Sequence, residues 1–241
     1  YEIRNCDWSS DVCSSDLVSS ADLVQRFEAV WTEAQLASHQ YAATALRRIV
    51  DEAFSHVGST LSSGRPLTEY DLQQFILRRI HDAGMITSSP PIAAVNAHSA
   101  DPHYGPTATH SAGITRDNLV LIDLWAKRTE PGSVYGDITW TGFTGATVPS
   151  RIEEVFETVR RGRDAAVEFV RTRVARGEFP FGWEVDETCR SVICAAGYGE
   201  HFVHRTGHSI GEEVHGNGAN MDNLETQESR RLMPRTCFSI E

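Results

Sequence analysis

LVLIDLWAK (119–127), TEPGS (129–133) and VYGDITWTGF (134–143) form the stretch on which the fold turns. Two runs rich in β-branched and aromatic residues flank a Pro-Gly segment, the pattern of an antiparallel hairpin. Each run carries one carboxylate, Asp123 and Asp137, and pairing them directly across the ladder centres the loop on Glu130, inside the expected turn. Like charges at such positions repel, and a carboxylate within an apolar strand is costly to desolvate unless a partner neutralises it. A cation between the two Asp residues satisfies both constraints. Ordinary surface pairing with Lys or Arg satisfies them equally well on spacing alone.

Working outward, apolar residues recur at helical spacing from Ser20 to about His56 and stop at Gly58, so one long helix or two are expected there. Thr68-Glu-Tyr-Asp71 reads as a capping box opening a helix that ends at Gly84, and Ile92–Val95 as a short strand. Ser150–Glu153 reads as a second capping box, opening a helix that ends near Gly177. A further helix is expected over 186–196, closed by Gly197 and Gly199, and a last strand at CFSIE (237–241). Helices mix with antiparallel strands without βαβ alternation, which makes the fold class α+β.

The ends differ from the body. Residues 1–17 lack any helical or strand period, and CDWSSDVCSSDL is similar to the conceptual translation of a sequencing adapter, so this stretch reads as a non-native tail. At the other end the chain stops at Glu241 straight after an apolar alternation. Residues 18–241 are therefore expected to be an incomplete catalytic domain from a longer parent.

The 241 residues carry 22 Lys and Arg against 33 Asp and Glu, a formal net charge of −11, which argues against a nucleic-acid partner. No stretch approaches the ~18–20 apolar residues of a membrane-spanning helix. Five cysteines without a C-x-x-C pair indicate neither a disulfide framework nor a zinc finger, and a reducing cytoplasm is the expected compartment.

HRTGHSIGEEVH (204–215) adds His204, His208 and His215, and FSIE (238–241) adds Glu241. Gly207 and Gly211 flank His208, which suits a backbone closely approached by something bulky, and a returning strand would bring His215 to the same pocket. The spacing is not the helical H-E-x-x-H of a zinc protease. Carboxylates with a single imidazole suit Mn, Co, Fe or Zn.

Together with PHYGP (102–106) and YGDIT (135–139), these motifs resemble the pita-bread metallopeptidase family, which includes methionine aminopeptidase, Xaa-Pro aminopeptidase and prolidase, and most of all its Xaa-Pro branch. The resemblance implies a pita-bread fold and hydrolysis of Xaa-Pro peptide bonds by a hydroxide shared between two divalent ions, manganese among them. By it Asp123 chelates one ion, Asp137 bridges both, and His208 and Glu241 bind the other. Glu241 also passes a proton to the leaving nitrogen, and His103, His204 and His215 contact substrate or steady the oxyanion. The branch implies peptide substrates with proline after the scissile bond and leaves a homodimeric parent open. The family's further bridging carboxylate has no counterpart before Glu241, so this chain alone is expected to hold one ion and to be inactive. A methionine aminopeptidase, or a pita-bread binding protein without catalysis, are the alternatives.

Overall fold

The computed structural model describes residues 19–241, so the tail assigned to 1–17 lies outside the described residues. Three helices come first, α1 (Ala21–Glu28), α2 (Glu33–Ser62) and α3 (Glu69–Asp82). Strands β1 (Met85–Ile86) and β2 (Ile92–Val95), a 3-10 turn (Asn96–Ala100) and the hairpin β3 (Leu119–Arg128) and β4 (Gly136–Phe143) follow. Helices α4 (Ser150–Ala175) and α5 (Gly182–Ala195) lead through a 3-10 turn (Gly199–His201) to β5 (Ser209–Ile210) and β6 (Cys237–Phe238). This is the expected α+β mixture. All strand pairings are antiparallel: β3 takes β4 along one edge and β1 and β2 along the other, while β5 and β6 form a separate two-stranded sheet.

Helix boundaries follow capping and packing. The first apolar run divides at 29–32, where Ala29 and Trp31 are buried and the Trp31 amide donates to the Arg235 carbonyl. Gly58 does not end α2. A central glycine costs only about 1 kcal/mol relative to Ala, and the burial of Val57 and Thr60 beside it carries the helix on to Ser62. Thr68 and Asp71 form the expected capping box, and Gly84 closes α3 at φ +67. The box read at Ser150–Glu153 does not form: Pro149 is the N-cap, so the Ser150 hydroxyl sits one residue too late to cap. Helix α5 begins four residues earlier than expected, at Gly182, with the Phe181 amide donating to the Glu184 carboxylate at 2.8 Å.

Along β3, Val120, Ile122, Leu124 and Ala126 are buried in one cluster with Leu46, Ile49, Leu72 and Ile76 of α2 and α3. Period-two alternation therefore sends Leu121, Asp123 and Trp125 to the opposite face. A second cluster joins Ala166 of α4 and Val185, Cys189 and Ile193 of α5 to Met221 and Leu232.

The hairpin register corrects the expected pairing. Asp123 stands opposite Thr139, and Asp137 opposite Trp125, so the carboxylates share a face but lie diagonally, two positions apart. The ladder centres on Pro131 rather than Glu130. The β3–β4 ladder ends at Ala126 opposite Gly136, and Lys127 and Arg128 pair with Ile86 and Met85 of β1.

Gly136 fixes how close β4 comes to α2. A Cβ there would meet the Ala43 amide nitrogen at 2.9 Å and the Ala42 carbonyl carbon at 3.2 Å, both backbone atoms that cannot swing aside. Gly136→Ala should therefore lower stability by about 1–3 kcal/mol in urea unfolding, and an unchanged midpoint would contradict this packing.

Candidate metal centre

Two elements far apart in sequence supply the donors. Asp137 is the second residue of β4. His208 immediately precedes β5, and Glu241 lies three residues beyond β6. The β5–β6 side is stitched through the backbone: Ser239 N donates to the His208 carbonyl at 2.8 Å and Glu241 N to the Thr206 carbonyl at 2.9 Å. The Ser239 hydroxyl accepts from the His208 amide at 3.0 Å and donates to Glu241 Oε1 at 2.6 Å. Gly207 is required here, because a Cβ would collide with the carbonyl oxygen of Ser239. The bulky neighbour expected at Gly207 is thus the chain's own last segment. At Gly211 nothing presses, since a Cβ would lie 3.7 Å from Gly216 Cα.

The result is a compact donor set. His208 Nε2 lies 3.3 Å from Asp137 Oδ2 and 3.2 Å from Glu241 Oε1, and the three donor atoms fall within 4.8 Å of one another. His208 Nδ1 faces the Ser209 carbonyl at 3.0 Å. A carbonyl only accepts, so Nδ1 carries the proton and the Nε2 lone pair is aimed between the carboxylates. Ligands held at ~2.1 Å around a tetrahedral ion stand about 3.4 Å apart, close to the separations seen here.

Charge points the same way. Among the described residues His208 is the one ion-pair partner of Asp137 and Glu241. Burial works against a charge on His208, yet its hydrogen bonds to Asp137 and Glu241 outweigh it and push its pKa up to about 10. Burial raises Asp137, and burial together with the Asp137 charge lifts Asp123 to about 7. Glu241 is lowered, because the contact with His208 overcomes its own desolvation. Two carboxylates and one imidazole lone pair that otherwise must capture a proton fit a divalent cation.

The other expected residues are placed around this set. Asp123 is not part of the tight group; its Oδ1 accepts from Thr139 Oγ1 at 2.7 Å across the ladder. His215 packs edge-on against His208 with ring centroids 4.3 Å apart, and partial burial followed by the positive charges of His208 and Arg205 lowers its pKa. No returning strand carries it; residues 211–217 are an irregular loop. His103 and His204 face one another, centroids 6.4 Å apart and planes at 70°.

Reasoning from sequence did not single out Thr139, Ser239 or the pair Asp186 and Arg190. Asp186 is fully buried, accepts from Thr206 N at 2.8 Å and binds Arg190, whose guanidinium donates to the Phe202 and His204 carbonyls at 2.9 Å each. The pair thereby holds the segment leading into His208. An i, i+4 acid–base pair within an amphipathic helix was the available signal, and it looks identical to a solvated one.

A carboxylate–imidazole–carboxylate set built around the buried His208 and spanning two antiparallel sheets could hold a metal ion. The model of metallopeptidase family M24 matches residues 38–241, and the chain belongs to that family. It is 28% identical over 229 residues to the probable dipeptidase PepE of Mycobacterium tuberculosis, covering 93% of this chain and 54% of that one. With the Xaa-Pro dipeptidase of Lactobacillus helveticus it shares 31% over 163 residues, 68% of this chain and 40% of the relative. Among solved structures, dipeptidase PepE from Mycobacterium ulcerans superposes at TM-score 0.73 with 27% identity, over 92% of this chain and 54% of that one. The recombinant prolidase from Thermococcus sibiricus superposes at 0.72 with 26% identity, over 92% and 55%. The architecture is thus the pita-bread fold, and the chain spans about half the length of these relatives or less.

Two outcomes follow. Because His208 holds a proton up to about pH 10, loading Mn²⁺ at pH 7 should release about one proton per ion, and affinity should rise with pH. Calorimetry in buffers of different ionisation enthalpy reads this, and no proton release would contradict the His208 assignment. Gly207→Ala should weaken the same binding by about ten-fold or more by displacing residues 239–241, whereas wild-type affinity would show that the close approach is not needed.

Proposed function

We propose that this chain carries the catalytic centre of a metal-dependent exopeptidase acting on Xaa-Pro dipeptides or peptides. The observation that carries the reading is the Asp137–His208–Glu241 donor set within an M24 chain. The naming of the Lactobacillus relative as a Xaa-Pro dipeptidase and of the Thermococcus structure as a prolidase supports the substrate class.

Divalent ions, when bound, would polarise the scissile carbonyl and lower the pKa of a water. The chain's residues do the rest. Asp137, His208 and Glu241 would hold one ion, and Asp123, diagonal to Asp137 on the same sheet face, would help to hold a second together with Asp137. Glu241, whose side chain is 36% exposed and which is ionised at rest, would take a proton from the attacking water and pass it to the departing proline nitrogen. His215, its pKa lowered against His208, stays neutral at pH 7 and offers an N–H to the developing oxyanion. His103 and His204 flank the substrate.

Three donors serve the first ion, but Asp123 and the shared Asp137 alone are fewer than a catalytic second site needs. On its own the chain should therefore bind one Mn²⁺ tightly and hydrolyse Leu-Pro at least about 10²-fold more slowly than a full-length M24 dipeptidase. The metal-loaded chain should still bind Leu-Pro about ten-fold more tightly than Leu-Ala. Two tight sites, or turnover comparable with the mycobacterial PepE, would overturn the ligand assignment, and equal binding of the two dipeptides would overturn the substrate class. His215→Ala should leave metal content intact; loss of metal on that substitution would make His215 a ligand.

A further inference from the structure

We propose that Glu69 is a positioning residue whose buried carboxylate fixes the 96–113 segment so that His103 is held facing His204. This rests on the substrate-contacting role proposed above for His103.

Glu69 opens α3 and is fully buried. Its carboxylate gathers donors from across the segment: Val95 N at 2.7 Å, His98 Nδ1 at 2.9 Å, Tyr104 OH at 2.5 Å and Ala112 N at 2.7 Å. One side chain thus clamps the entry, the middle and the exit of the segment. Its other ties are local turns and contacts at its two ends: His103 N donates to Asp101 Oδ1 at 2.9 Å, Thr107 and His110 exchange backbone hydrogen bonds, Leu119 N donates to Asn96 Oδ1 at 3.0 Å, and Glu69 N and Tyr70 N donate to the Ala112 carbonyl at 3.0 Å and Ser111 Oγ at 2.9 Å. Of residues 96–113, Tyr104 and Pro106 are the buried ones, and the rest are partly or fully exposed. His103 directly precedes the clamped Tyr104, whose ring stacks on His98 with centroids 4.3 Å apart.

The carboxylate stays ionised. Burial opposes its charge, but the four donors outweigh it and hold its pKa below the usual value, and the N-terminus of α3 favours an anion there. A neutral amide could not do the same work. Gln at this position presents one acceptor oxygen and turns two N–H donors toward groups that are themselves donors.

The experiment uses the Mn²⁺-loaded chain, with hydrogen exchange read by mass spectrometry and Leu-Pro affinity read by calorimetry. In Glu69→Gln, exchange across 96–113 should quicken by about ten-fold or more while 203–216 keeps its protection and Mn²⁺ affinity stays within about two-fold. Leu-Pro binding should weaken about ten-fold, and in a His103→Ala background the same substitution should add less than about two-fold, because the two residues act through one contact. Should Glu69→Gln fail to fold, Tyr104→Phe, which removes one clamp bond and keeps the ring stack, should show the same pattern at about three-fold. Unaltered exchange in 96–113, or losses that multiply independently in the double variant, would overturn the proposal. A wild-type chain that does not bind Leu-Pro overturns the substrate reading instead, and the exchange pattern then decides the role of Glu69.

Discussion

Everything at the centre of this molecule depends on placing two carboxylates against one imidazole where water is scarce. Asp137 and His208 are nearly buried, with side chains 8% and 5% exposed, and Glu241 closes the third side. Such a cluster without a cation holds itself together by keeping a proton on His208. The proton is a placeholder of the right charge in the right place. On the proposed reading a divalent ion would take its place and satisfy all three donors at once.

The rest of the fold can be understood as what that arrangement requires. Asp137 must arrive from a strand packed on helices, which the glycine at 136 permits by letting β4 touch the backbone of α2. His208 and Glu241 must arrive side by side, which the β5–β6 pairing and the contact of Gly207 with Ser239 arrange. Around this centre two buried carboxylates act at a distance. Asp186, with Arg190, restrains the backbone that leads into His208. Glu69 restrains the segment that carries His103. Each is buried on a helix, and each spends its charge on loop backbone or side chains near the site.

How much of this was readable from the chain varied with the length scale of the physics. Asp123 and Asp137 stand out in the sequence because carboxylates in apolar strands violate local rules in a way that asks for a partner, and Gly207 and Gly211 mark His208, whereas the assignment of His208 and Glu241 as ligands comes from the family resemblance. The α3 capping box was readable because its signal is confined to four residues. The hairpin differs from the expected register by two positions: the ladder centres on Pro131, which sets Asp123 and Asp137 diagonally and keeps like charges from standing directly opposite. The end of α2 was misplaced at Gly58, where tertiary burial overrides the weak intrinsic cost of glycine. Glu69 went unnoticed for the opposite reason: beside Thr68 and Asp71 it looks like one more first-turn acid, and only the folded loop reveals its four partners.

Pulsed electron paramagnetic resonance of the Mn²⁺-loaded chain tests the central claim most directly, because nitrogen modulation counts the imidazoles bound to the ion. The account requires one histidine nitrogen on the manganese, lost in His208→Ala and retained in both His215→Ala and His204→Ala. A spectrum with no nitrogen coupling, or with coupling that survives removal of His208, would contradict it.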